Sequence, residues 1–80
     1  MKNIHFKLRA LDLHGIKHSD VIIELENYVY PAHHQNCFPI QIITGNSDKM
    51  RKIVIDFLNK NNYKYKIGDN SNNGYIVVLK

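Results

Sequence analysis

The chain has 80 residues, of which 44% are hydrophobic and 22% are charged, and its formal net charge is +4 with histidine neutral. This composition argues against a disordered chain, and the length suits one domain, residues 1–80, with a single modest core. No apolar run reaches the roughly 18 residues of a membrane span, and the one cysteine, Cys37, excludes an internal disulfide, so we expect a cytoplasmic domain with no membrane association.

The first predicted element is a strand over residues 9–13, preceded by an extended arm over residues 1–8. The apolar positions change parity near Ala10. A single longer strand with a bulge at that residue is therefore the alternative.

A helix over residues 19–30 follows, and Ser19 or His18 is its expected N-cap. Its apolar stripe consists of Val21, Ile22, Leu25, Tyr28, Val29 and Ala32. Pro31 is expected to kink or end this helix, because the proline ring favours extended geometry at the residue before it. A polar connection at residues 31–37 leads to the next strand.

The second half of the chain predicts, in order, strand 38–44, helix 48–61, strand 63–67, loop 68–74 and strand 75–79. Ser47 is the expected N-cap of the second helix, and Asn61 and Asn62 are its stop signals. Right-handed crossovers bring the first three strands parallel, and the last strand returns antiparallel in a central position. Both helices then lie on one face. The pattern predicts an α/β two-layer sandwich of order β-α-β-α-β-β with a four-stranded mixed sheet.

The sequence Leu-Asp-Leu-His-Gly at residues 11–15 ends the first strand. Because successive strand side chains point to opposite faces, the two leucines enter the core while Asp12 and His14 project together from the other side. Beside a phosphodiester, His14 would take a proton from water or from a ribose 2′-hydroxyl. Asp12 would orient the imidazole or bind a divalent ion such as Mg²⁺ or Mn²⁺. The structural alternative is that Asp12 accepts N–H groups of the next turn and His14 satisfies a carbonyl.

A second candidate is the turn between the second strand and the second helix. It consists of Thr44, Gly45, Asn46 and Ser47. A helix N-terminus presents unpaired N–H groups and partial positive charge, which favour a bound phosphate, although any capped strand-to-helix turn shares this pattern. Arg51 lies one turn into the helix, within reach of such a phosphate. The carboxyl ends of the first two strands share an edge, so this turn is expected close to Asp12 and His14.

Basic residues concentrate in the second half of the chain. Lys49 lies in the first turn of the second helix, and Lys64 and Lys66 alternate with apolar residues on the third strand. These lysines would extend a nucleic-acid track from the turn across the uncovered face of the sheet. A solvated basic face is the alternative.

His33, His34 and Cys37 have donor atoms that suit zinc. No second cysteine lies at a suitable spacing, so no metal site is predicted there. His5 and His18 are expected to be surface residues.

Taken in order, these motifs resemble the Smr (small MutS-related) domain family. The resemblance rests on Leu-Asp-Leu-His-Gly after a short arm, an amphipathic helix, Ile-Ile-Thr-Gly closing the second strand, a Met-Arg pair opening the second helix, and a final Gly-Tyr-Ile-Val-Val-Leu. It covers residues 9–80 and implies a fold similar to the C-terminal domain of bacterial translation initiation factor three. It also implies nucleic-acid binding, with nicking or RNA-cleaving endonuclease activity in several members.

The resemblance also assigns roles to individual residues. Asp12 and His14 match the acid and the histidine of the family's first motif. Thr44 and Gly45 match the start of its (His or Thr)-Gly-x-Gly loop. Arg51 matches an arginine at the start of its second helix.

Some positions depart from the family pattern. Ser47 stands where the second loop glycine is usual, and its side chain restricts how closely the backbone approaches a phosphate. Asn72 and Asn73 precede Gly74 in place of a glycine-rich stretch, and Pro31 interrupts a helix that usually runs longer.

The leading hypothesis is a small endonuclease acting on RNA or on branched or nicked DNA. His14 would be its acid or base, and the Gly45 turn with Arg51 would be its phosphate clamp. The alternatives are a non-catalytic nucleic-acid-binding module and a protein-interaction adaptor. The sequence leaves open the preferred nucleic acid, the oligomeric state and any requirement for a metal ion.

Overall fold

The computed structural model describes residues 6–69 and 71–80. Within them the chain forms six main elements, which are β1 (Leu11–Asp12), α1 (Val21–His34), β2 (Ile40–Ile43), α2 (Asp48–Lys60), β3 (Tyr65–Ile67) and β4 (Tyr75–Val78). A short 3₁₀ helix, His18–Asp20, leads into α1. Most of the predicted arm, together with His5, lies outside the described residues, and residues 6–8 belong to no strand.

The strands form one mixed sheet in the order β1-β2-β4-β3. β1 runs parallel to β2, and β4 lies antiparallel between β2 and β3. In register, Leu11 lies opposite Ile42, and Ile42 lies opposite Ile76. The predicted two-layer α/β sandwich is confirmed, including the central position of the last strand.

The core lies between the sheet and the two helices. Its fully buried side chains include Leu13, Val21, Leu25, Val29, Ile40, Ile42, Val54, Leu58, Ile76 and Val78. Burying an aliphatic side chain of this size stabilises the fold by about 1.5–3 kcal/mol, so this layer contributes far more than the short strand pairings. Ile22, predicted to belong to the buried stripe of α1, is instead 44% exposed. Neither helix in the described part of the chain is long and apolar enough to cross a membrane.

The first helix differs from its prediction at both ends. The residue before its first turn is Asp20, and no side chain there accepts a capping hydrogen bond, so the predicted caps Ser19 and His18 are wrong. The helix also continues through Pro31, which was expected to kink or end it. Pro31 is exposed, so water can satisfy the carbonyl that loses its helical partner, and the next residue, Ala32, is fully buried. The helix ends at His34, and Asn36, two residues later, has a φ of 56°, in the left-handed region typical of a C-terminal stop.

The second helix matches its prediction closely. The hydroxyl of Ser47 accepts a hydrogen bond from the Met50 N–H at 3.1 Å, which confirms the N-cap. Asn62, with a φ of 62°, ends the helix as expected. The neighbouring strands are shorter than predicted. β2 begins after Pro39, which has no N–H to donate to the sheet. β3 begins at Tyr65, because the N–H of Tyr63 bonds to the Leu58 carbonyl at 2.9 Å and closes α2.

Candidate functional site at the strand ends

The end of β1 is shaped by a turn that starts immediately after the strand. The N–H of Leu13 donates to the Ile43 carbonyl at 2.9 Å and continues the parallel pairing with β2. The carboxylate of Asp12 accepts the backbone N–H of His14 at 2.9 Å. Gly15 then adopts a φ of 85°, which favours glycine. The sequence left open whether Asp12 forms this turn, and the hydrogen bond to the His14 N–H shows that it does. The same bond fixes the backbone that carries the imidazole.

The end of β2 lies directly beside that imidazole. The N–H groups of Thr44 and Gly45 both donate to the Gly74 carbonyl, each at 2.9 Å. Gly45 has a φ of 69°, and a Cβ added there would lie 3.4 Å from Cδ2 of His14. The two parallel strands therefore bring His14 against the Gly45 turn, which is the proximity expected from the sequence. Thr44, the last residue before this turn, is buried.

The backbone N–H groups of this turn divide into two sets. Those of Thr44 and Gly45 are occupied by Gly74, so they are not the free donors expected from the sequence. For residues 46–49, no intramolecular acceptor of the N–H group is found within the described chain. These donors lie at the positive end of α2, and Asn46 and Ser47 beside them are exposed. The N–H groups without an internal acceptor thus begin one residue after Gly45.

A cleft of about 480 Å³ opens between the strand ends and the first turns of the helices. It is lined by Leu13, His14, Gly15, Ile16, His18, Thr44, Asn46, Ser47 and Met50. His18 was expected to be a surface residue, and it is exposed but faces this cleft. The signal that could have identified it is topological. A crossover helix between parallel strands starts at the edge where the first strand ends, so residues just before α1 lie near His14.

Arg51 lies on the same edge of the sheet but outside the cleft lining. Its guanidinium forms an ion pair with Asp48 at 2.6 Å, and its Nε donates to the Asn73 carbonyl at 3.3 Å. Asn73 precedes Gly74, so the arginine sits on the β4 side of the Gly45 turn. The side chain of Asp48 is 97% exposed, whereas that of Arg51 is 14% exposed.

The predicted lysines do not converge on the cleft. Lys49 is exposed in the first turn of α2, and Lys64 and Lys66 are exposed on or next to β3. Because β3 is the edge strand opposite β1, about 14 Å of sheet separates the two strands at the usual spacing. Lys66 pairs in register with Val77, on the face of the sheet opposite the helices. Lys64 and Lys66 therefore form a separate basic edge at β3, and Lys49 lies apart from them at the start of α2.

The loop before β4 is organised by Asp69. Its carboxylate accepts hydrogen bonds from the Ser71 hydroxyl at 2.9 Å, the Asn72 N–H at 2.7 Å and the Ser71 N–H at 2.9 Å. These bonds hold the pKa of the Asp69 carboxyl below its usual value, the Ser71 hydroxyl having the largest effect. The loop presents the carbonyls of Asn73 and Gly74 to Arg51 and the Gly45 turn.

The described residues contain no cluster of three or more His, Cys, Asp or Glu side chains arranged for a metal ion. His33 and His34 belong to α1, and the ring of His33 packs edge-on against Phe38 and Tyr63. The cleft itself is lined by no described carboxylate, which is the ligand that Mg²⁺ and Mn²⁺ favour. The donor set therefore does not fit a divalent ion held by the cleft side chains.

Comparison with known proteins gives one family. No curated protein and no solved structure matches the chain significantly, so the likeness to the C-terminal domain of translation initiation factor three stays a prediction. The family model for the Smr domain matches residues 11–79, which include both strand ends, the turn at Gly45 and both helices. The chain therefore belongs to the Smr domain family, which is associated with nucleic-acid binding and nuclease activity.

Proposed function

We propose that this chain is an endonuclease that binds nucleic acid at the strand-end cleft and cleaves a phosphodiester bond with His14 as the acid or base. One observation carries the proposal. The His14 ring lies against the Gly45 turn, in the same cleft as the first residues of α2. A group able to transfer protons thus adjoins a group of donors suited to phosphate.

The phosphate is held by the N–H groups of residues 46–49 and by the positive end of α2. When a phosphate binds, the guanidinium of Arg51 leaves its ion pair with Asp48 and supplies a positive charge to the phosphate. Asp48 is 97% exposed in this ion pair, so water screens its charge and a phosphate with two acceptor oxygens competes with it. Thr44 and Gly45 position the turn through their bonds to Gly74 and make no contact with the phosphate through their N–H groups.

The partner is nucleic acid, RNA or DNA, and the net charge of +4 supports it. Lys49, Lys64 and Lys66 contribute to affinity through the phosphate backbone without contacting the scissile bond. The lone Cys37 suits a reducing cytoplasm, where a free thiol stays reduced.

The test is a cleavage assay on plasmid DNA and on structured RNA, with and without added Mg²⁺ or Mn²⁺. His14→Ala is expected to lower the cleavage rate by roughly 10²–10⁴-fold, the usual contribution of one acid or base. Binding of the same nucleic acids, followed by fluorescence anisotropy, stays nearly unchanged. His34→Ala is the matched control, because His34 is an exposed histidine at the far end of α1 and outside the cleft.

Wild-type protein that cleaves neither nucleic acid under any of these conditions would contradict the proposal. Equal loss of activity in His14→Ala and His34→Ala would do the same, because it would point to a general effect on folding.

A second candidate is a non-catalytic nucleic-acid-binding module. It is favoured by Ser47, whose side chain lines the cleft where the resemblance to the family leads one to expect a glycine. Salt-dependent binding of both the wild type and His14→Ala, with no cleavage by either, would support this candidate over the first.

A further inference from the structure

Two histidines share the strand-end cleft. Among the described residues that line it, His14 and His18 are the ones that carry an imidazole, the side chain most often used as a general acid or base. They reach the cleft from different elements, His14 from the turn after β1 and His18 from the 3₁₀ helix before α1. Both are exposed, so a bound substrate has access to each ring.

The second proton-transfer group is not Asp12. Its carboxylate accepts the N–H of His14 at 2.9 Å and does not line the cleft. Arg51 also lies outside the lining. His18 is therefore the partner that the fold offers to His14.

We propose that His18 is a second catalytic residue, the acid that protonates the leaving oxygen when RNA is cleaved through its own 2′-hydroxyl; the inference rests on the proposed endonuclease function. The neutral imidazole of His14 takes the proton of the ribose 2′-hydroxyl. The 2′-oxygen forms a bond to phosphorus, and the bond from phosphorus to the 5′-oxygen breaks. The protonated imidazole of His18 gives its proton to that leaving oxygen.

The products are a 2′,3′-cyclic phosphate and a 5′-hydroxyl. The step consumes no water, and it leaves His14 protonated and His18 neutral until solvent exchanges their protons. The N–H groups of residues 46–49 bind the non-bridging oxygens, where negative charge grows in the transition state. Deoxyribose has no 2′-hydroxyl, so this chemistry excludes DNA as a substrate.

The first experiment uses an oligoribonucleotide that the wild-type protein cleaves and on which the cut has been mapped. Cleavage is expected to persist in EDTA and to yield a cyclic phosphate, which mass spectrometry identifies as lighter by one water than a linear phosphate. The same oligonucleotide with 2′-deoxyribose at the mapped nucleotide is expected to bind and not to be cut.

The second experiment assigns His18. His18→Ala is expected to lower the cleavage rate by roughly 10²–10⁴-fold, and His34→Ala leaves it unchanged. A sulfur atom in place of the bridging 5′-oxygen leaves without needing a proton. That substrate is expected to restore the rate of His18→Ala and not the rate of His14→Ala. A purely structural role of His18 would not produce this rescue.

The outcomes separate the two proposals. A cut at the deoxyribose position, or His18→Ala with wild-type activity, overturns this inference and leaves the endonuclease function standing. Rescue of His14→Ala in place of His18→Ala overturns the assigned roles. Wild-type protein that cuts no nucleic acid overturns both proposals.

Discussion

At the scale of single residues, the position of His14 depends on its backbone. The Asp12 carboxylate holds the His14 N–H at 2.9 Å, and the ring packs against Gly45. Within the described part of the chain, the imidazole of His14 forms no hydrogen bond with another side chain. Asp12 therefore acts on His14 through the turn, and the negative charge of its carboxylate is not what the turn requires.

This difference predicts how two substitutions at Asp12 behave. Asp12→Asn keeps an oxygen that accepts the His14 N–H, so its cleavage rate stays close to the wild-type rate. Asp12→Ala removes the acceptor and frees the backbone under the ring. We expect a loss of roughly 10–100-fold in kcat/KM on structured RNA, because small displacements of a catalytic group are costly. Thermal denaturation of both variants is the control for folding. An Asn variant as inactive as the Ala variant would instead indicate that the charge orients the imidazole or binds a metal ion.

At the scale of elements, the start of α2 explains why a serine is tolerated in the loop. Ser47 has a φ of −82° and a ψ of 114°, which any L-residue adopts. The positive φ of this turn falls on Gly45, so a second glycine is not needed for the backbone path. The hydroxyl of Ser47 instead satisfies the Met50 N–H, one of the four unpaired donors of a helix start.

We therefore expect Ser47→Ala to lower the free energy of unfolding by about 1 kcal/mol, the usual value of an N-cap. In a domain of this size that change corresponds to a fall in Tm of roughly 4–8 °C, which calorimetry measures. Ser47→Gly should cost only a few tenths of a kcal/mol. Ser19→Ala is the matched control, because no side chain caps α1. Equal Tm values for Ser47→Ala and Ser19→Ala would contradict the capping role.

The elements were predictable where local sequence decides them. Alternating apolar residues, the helical stripes and the Ser47 cap predicted both helices and the order of the four strands. The prediction that Pro31 kinks or ends the first helix was wrong, because the local preference of proline is outweighed by the burial of Ala32, which is a tertiary effect. The end of α1 at His34, followed by Asn36 in the left-handed region, was also missed. An asparagine in the left-handed region closes a helix as glycine does, but the sequence pattern alone does not rank it above Pro31.

At the scale of the whole molecule, the candidate site depends on contacts between elements. The proximity of His14 to Gly45 follows from two parallel strands, so the sequence could predict it. Sequence spacing could not predict that Arg51 turns toward Asp48 and Asn73, because that choice depends on the fold of the loop before β4. The entry of His18 into the cleft likewise depends on where the crossover starts.

The strand order also places His14 and the basic edge at β3 on opposite sides of the sheet. β1 and β3 are opposite edges of the sheet, so a nucleic acid that contacts both His14 and Lys66 must cross the sheet face. Each lysine that neutralises one phosphate contributes about 0.7 to the slope of log K against log salt for a single strand, and about 0.9 for a duplex. We expect Lys64→Ala and Lys66→Ala each to reduce the slope by this amount, with little change in the maximal cleavage rate.

Lys52 provides the control for this prediction. It lies on α2 and already pairs with Asp56 at 3.1 Å, so Lys52→Ala is expected to leave the salt dependence unchanged. Affinity measured by anisotropy over a range of salt concentrations gives the slopes. If the three lysine variants behave alike, the basic edge at β3 is only a solvated surface. A reduced slope confined to Lys64 and Lys66 instead means that the bound strand runs from the catalytic cleft across the open face to β3, because no path along the β1 edge alone brings a phosphate to either lysine.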